Sequence, residues 1–135
     1  NMSSYEQKEN SLPERALLKL VEAYGGFFDV QLLSVKLRKT ENEILEDIKN
    51  NKFFALELNE QILVPSFQFV SFKPLPYLSD ILDNMNGVDS WLKIVFFLTQ
   101  IDKLKDYPAH ILRKEPTKAD IDVVLQSARL YIDIV

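Results

Sequence analysis

Few side chains in this sequence have the spacing that chemistry asks for. Two acid pairs come first, Asp80 with Asp83 and Asp120 with Asp122, because neighbouring carboxylates can divide general-acid and general-base work between them. Neither pair is accompanied by a glycine-rich phosphate loop or by a nucleophile with its base. Both fall where helix surfaces and caps call for carboxylates. His110 is the single histidine and there is no cysteine, so a metal finds no second nitrogen ligand and no thiolate. These residues predict no catalytic group, no metal and no cofactor. The chain reads as a binding protein and not as an enzyme.

The chemistry that remains is recognition, of a polyanion or of another protein. Lys36, Arg38, Lys39, Asn42 and Lys49 lie close together in the sequence and are the candidates for duplex DNA, since cations neutralise phosphates and an amide can read a base edge. The same stretch also holds Glu41, Glu43, Glu46 and Asp47, and the whole chain has a formal net charge of −4 and a pI of about 5.0. Carboxylates facing phosphates are repelled, so charge works against the DNA reading. The alternative is a protein-interaction or dimerisation module that keeps the fold without binding DNA. Trp91, Phe96, Phe97 and Tyr131 are the candidates for a partner or homodimer interface. The first three lie on a segment that is apolar nearly all round, and such a helix is either the buried centre of its region or part of a partner surface.

Period and punctuation predict the elements that carry these residues. Residues 1–11 are polar and read as a flexible N-terminus. In Pro13–Tyr24, Leu17, Leu18 and Val21 recur at helical spacing opposite Glu14, Arg15, Lys19 and Glu22, with Ser11 suited to cap and Pro13 to the first turn. Gly25-Gly26 stops that helix. Asp29 suits the N-cap of a helix over Val30–Leu37, and Thr40-Glu41-Asn42-Glu43 has the spacing of a capping box for the next, with Ile44, Leu45 and Ile48 as its apolar stripe. Two short helices about three residues apart form a helix-turn-helix pattern.

After Lys52 the period changes to two. Phe54–Leu58 and Gln61–Val64 predict a two-stranded hairpin turned at Asn59-Glu60, and Pro65 ends the pairing. Pro65, Phe67, Gln68 and Phe69 form a structural junction, where an amide between two phenylalanines calls for backbone partners. Helices are expected over Leu75–Met85, over Trp91–Gln100 after a cap at Asp89 or Ser90, and briefly from Pro108 through Leu112. A last helix starts at Thr117-Lys118-Ala119-Asp120, with Ile121, Val124, Leu125, Ala128 and Tyr131 or Ile132 facing inward. The expected fold is mainly α: a helix-turn-helix unit with a small two-stranded hairpin over residues 12–72, then a helical partner-binding region over residues 73–135. At 47% hydrophobic and 27% charged the composition is that of an ordinary globular protein. No apolar run reaches the ~18 residues a membrane span needs, and the lack of cysteine suits a reducing compartment, so a cytoplasmic protein with no membrane partner is expected.

The phrase Val64-Pro65-Ser66-Phe67-Gln68-Phe69, followed by Leu75-Pro76, Asp89-Ser90-Trp91-Leu92, Leu98, Leu104, Pro108 and Leu112, resembles the family of Xre/MbcA/ParS-type antitoxin and regulator proteins over roughly residues 25 to 130. Arg38 stands where that family has a small residue between helices, and Asp106 where it has glycine. The resemblance implies a regulator that binds DNA through a helix-turn-helix domain and a toxin protein, often one that degrades NAD, through a helical one. It also implies that a C-terminal segment, here Asp120 to Val135, can block the toxin's active site.

Overall fold

A computed structural model describes residues 12–134. The expected flexible stretch 1–11 with its Ser11 cap, the side chain of Ile132, and Val135 lie outside the described residues. Helix α1, Leu12–Ala23, buries Val21 completely, and Leu17 and Leu18 pack beside it. Gly25 and Gly26 end the helix with φ of 108° and 79°, a region that glycine enters without steric cost. At Gly25 there is a second reason, since a Cβ would come within 2.6 Å of the Ser66 hydroxyl oxygen. The chain can therefore turn tightly against the later junction, and the Ser66 amide donates to the Gly26 carbonyl at 2.9 Å.

That turn feeds strand β1, Phe27–Asp29. Asp29 then caps helix α2, Val30–Leu37, with its carboxylate accepting from the Leu32 amide at 2.7 Å. Arg38 adopts the left-handed conformation (φ 56°) and redirects the chain into helix α3, Glu41–Lys49. The start of α3 is a reciprocal capping box: the Glu43 amide donates to the Thr40 hydroxyl at 3.1 Å and the Thr40 amide to the Glu43 carboxylate at 2.8 Å. Leu33 and Ile44 are fully buried and pin the two helices to the core. Strands β2, Leu56–Leu58, and β3, Gln61–Pro65, form an antiparallel hairpin with Leu58 opposite Gln61. Asn59 and Glu60 both have positive φ, 52° and 63°, as a two-residue hairpin turn requires.

The expectation of a mainly α fold with a single two-stranded hairpin is corrected here. Seven α-helices among the described residues are accompanied by two small antiparallel sheets, one of three strands and one of two, so the fold is mixed α/β. In the first sheet β1 joins the far edge of β3, giving the order β1-β3-β2 with Phe27 opposite Pro65 and Asp29 opposite Leu63. The second sheet pairs β4, Phe69–Val70, with β5, Lys73–Pro74, around a turn at Ser71 and Phe72 with φ of 49° and 61°. Strands of two or three residues are too short to show alternation, and they exist because a neighbour supplies the hydrogen bonds. The second turn carries no glycine or asparagine to announce it.

Helix α4, Leu78–Asp83, is shorter than the expected Leu75–Met85. Leu75 is held outside it, donating its amide to the Gln68 carbonyl at 2.8 Å, and Tyr77 takes a left-handed conformation at φ 64°. Helix α5, Ser90–Leu98, starts on Asp89, whose carboxylate accepts from the Leu92 amide at 3.0 Å. Helix α6, Pro108–Arg113, and helix α7, Lys118–Ile134, complete the chain. The start of α7 is closed by a reciprocal pair: the Asp120 carboxylate accepts from the Thr117 amide at 3.2 Å and the Thr117 hydroxyl accepts from the Asp120 amide at 3.1 Å. One apolar cluster runs through all of this, including Phe53, Phe54 and Val64 before the second hairpin and Leu78, Phe97 and Val124 after it. No helix among the described residues is long and apolar enough to cross a membrane.

Candidate functional site

The junction after β3 fixes how the chain's two halves meet. Pro65 ends β3, and a single turn of 3-10 helix over Ser66–Gln68 points Phe67 and Gln68 inward. Gln68 is completely buried. Its oxygen accepts from the Phe54 amide at 2.8 Å, and its nitrogen donates to the carbonyls of Phe54 and Pro65 at 2.9 and 3.0 Å. Every polar atom of the amide is therefore used, which matters because an unpaired buried group costs about 1–3 kcal/mol. Around it Phe53 meets Phe69 at 5.2 Å between ring centroids, Phe54 stacks on Phe97 at 5.8 Å, and Phe67 meets Phe97 at 6.1 Å.

Arg113 is a structural residue of this junction, missed because it has no sequence signal. From α6 its guanidinium donates to the carbonyls of Phe67 and Phe69 at 3.4 and 3.0 Å, tying the tail to the turn. Asn51 was also missed. In a left-handed conformation (φ 61°) it donates to the side chains of Asp83 and Asn86 at 2.9 and 3.0 Å, linking the end of α3 to α4. The pair Asn50-Asn51 signalled a helix end; its reach to α4 had no local signal.

The five polar candidates for DNA lie along one run from the last turn of α2 to the end of α3, all exposed. They are not equivalent. The Lys39 ammonium is held by the Asp47 carboxylate at 2.6 Å, and the Lys36 ammonium sits 5.5 Å over the Phe72 ring. Arg38 occupies the turn and Asn42 the first turn of α3, beside exposed Glu41 and Glu43. Hydrogen bonds from Thr40, backbone first, hold the Glu43 carboxyl below the usual glutamate range. Lys36, Arg38 and Lys49 make no ion pair among the described residues. The adjoining hairpin tip adds Glu57 and Glu60, so five cations face six carboxylates between Lys36 and Glu60. Leu32, Val35 and Leu45 are also exposed on α2 and α3, Val35 at 69%.

The four aromatic candidates separate. Phe97 is fully buried and Phe96 is 5% exposed, so both fill the core, the two rings meeting edge to face at 5.2 Å. Trp91 is half-buried against the same cluster. Tyr131 packs on Phe96 at 5.4 Å and reaches the surface, where it lines a cleft of about 260 Å³ with Thr99, Gln100, Ile101, Ser127 and Leu130. Leu130 is 49% exposed. Burial and the neighbouring Asp89 carboxylate both push the Tyr131 hydroxyl up, so it stays a donor at neutral pH.

No protein-family model and no curated protein matches the sequence. Among solved structures, the chain is similar to Rv2175c as determined by NMR, with a TM-score of 0.63 at 13% identity, covering 76% of this chain and 78% of that one. At that identity the likeness is one of fold.

Proposed function

We propose that this protein is a non-catalytic transcriptional regulator or antitoxin-like protein, binding duplex DNA through the α2–α3 face and a protein partner, a toxin in the antitoxin case, through its C-terminal helices. The observation that carries the reading is the element order. Helix α1, strand β1, helices α2 and α3 and the hairpin β2–β3, closed as a β1-β3-β2 sheet, follow the order of elements expected of a winged helix-turn-helix, which supports the reading. In that arrangement the second helix of the pair enters the major groove. Here that helix is α3, which buries Ile44 inward and leaves Glu41, Asn42, Glu46 and Lys49 in solvent. The partner surface is the cleft beside Tyr131 and Leu130 on α7.

Charge sets the strength of this binding. Of the candidate residues, Lys36, Arg38 and Lys49 are the cations outside ion pairs among the described residues; with about three phosphates neutralised, the logarithm of affinity should fall with the logarithm of salt with a slope of about −2.7. Titration of the full chain with duplex DNA across a salt series tests this. Arg38→Ala should flatten the slope by about 0.9. No detectable binding to any duplex at low salt would refute the DNA reading.

A second reading is favoured by the exposed aliphatic side chains. Leu32, Val35 and Leu45, beside carboxylates, suit a protein surface better than a phosphate backbone, and in this reading the α2–α3 face is a docking or dimerisation face of a module without DNA binding. Sedimentation of wild-type and Val35→Glu chains separates the two. Loss of self-association in the variant supports the module, and an unchanged monomer removes the dimer form of it.

A further inference from the structure

We propose that the cavity between the end of α1, the Ser66–Gln68 turn and α6 is a binding site for a small aromatic carboxylate. The cavity has a volume of about 250 Å³ and is lined by Tyr24, Phe67, Tyr107, Ala109, His110 and Arg113. In a chain with more acidic than basic residues, this lining contains a guanidinium, an imidazole and two phenols, and no carboxylate. Arg113 has no carboxylate partner among the described residues. Its position is set by the Phe67 and Phe69 carbonyls, and a guanidinium has five N–H donors, so it can still receive an anion in a charge-assisted hydrogen bond.

The ring systems are already ordered. Asp106 accepts at the Nδ1 of His110 through both oxygens, at 3.0 and 2.8 Å, which fixes the orientation of the His110 ring at the cavity. Tyr107 stacks on His110 at 5.4 Å and 24° and meets Tyr24 edge to face at 5.4 Å and 77°. Burial pushes the Tyr107 hydroxyl up, with Tyr24 acting in the same direction, so it stays a neutral donor. A dry cavity of ~150 Å³ accommodates benzene. The space here is larger and open to solvent, with Tyr24 37% exposed and Arg113 exposed, so a ring can lie against Tyr24, Tyr107 and Phe67 with its carboxylate at Arg113 on the solvent side.

The test is titration of the full chain with sodium benzoate, followed by amide chemical shifts. Saturable shifts are expected at Tyr24, Gly25, Ser66–Gln68 and Tyr107–Arg113. Benzyl alcohol, with the ring and no charge, and inorganic phosphate, with charge and no ring, should each bind at least about tenfold more weakly. Because Arg113 also holds the junction, the variants used are Tyr24→Ala and His110→Ala, which leave its bonds to Phe67 and Phe69 in place. Each should weaken benzoate several-fold with the fold intact by circular dichroism. Absence of saturable shifts, benzyl alcohol or phosphate binding as tightly as benzoate, or unchanged affinity in both variants would each overturn the proposal.

Discussion

Helices α3 and α5 are both nine residues long and opposite in what they bury. In α3 Ile44 alone is buried, and polar side chains occupy the rest of the surface apart from Leu45 and half-buried Ile48. In α5 Ile94, Phe96 and Phe97 are buried, and Trp91, Leu92, Val95 and Leu98 are half-buried. The contrast is one of packing: α5 fills the core, and α3 is held by its cap, by buried Ile44 and by half-buried Ile48, leaving its outer face in solvent. Changes in α5 should therefore act on stability, and changes on the outer face of α3 on the proposed DNA binding.

The comparison is broken most directly at Phe97. Phe97→Ala removes a ring that touches Phe54, Phe67 and Phe96 and should destabilise by about 3–5 kcal/mol, read from urea midpoints. A loss below about 1 kcal/mol would make α5 a surface helix. Gln68→Leu comes next, because it leaves the Phe54 amide and carbonyl without their side-chain partners. An expected loss of about 2–3 kcal/mol is measured the same way, and wild-type stability would mean that the amide does not clamp the junction.

On the α3 side the effects are smaller. Thr40→Ala removes the cap acceptor and should cost about 1 kcal/mol, with α3 amides exchanging faster and α5 amides unchanged. The Glu43 carboxyl is depressed in the folded state, so its contribution is present above the ordinary glutamate range and is lost as pH falls through the lowered value. Glu43→Gln should remove this part of the acid limb in pH-dependent unfolding. Glu46→Lys should leave stability within about 0.5 kcal/mol while tightening DNA binding and steepening its salt dependence by about one unit of slope. That would be the sharpest separation of recognition from stability.

What the sequence made legible is what is local in the chain. The cap at Asp29, the Thr40–Glu43 box, the Asp89 cap and the Thr117–Asp120 pair each lie within three residues of the group they satisfy, so residue type and spacing announce them. Gln68 between two phenylalanines signalled a buried amide, but its partner Phe54 is fourteen residues away and carries no mark of the pairing. Strand β1 exists through hydrogen bonds to β3, far along the chain, and the second hairpin, though local, has strands too short to hold a period and a turn without glycine or asparagine. Arg113 reaches carbonyls 44 and 46 residues back, and Tyr24 meets Tyr107 across most of the chain. The junction residues were legible, but their distant partners Phe54 and Arg113 and the cavity beside them were beyond the reach of pattern.

The most direct test of the account maps where duplex DNA touches the protein. Amide shifts of the full chain, recorded as duplex is added at low salt, should cluster at Lys36 to Lys49 and at the Asn59-Glu60 hairpin tip, leaving α5 and α7 unmoved. Shifts confined to α7, or none at any DNA concentration, would contradict the assignment of recognition to α3.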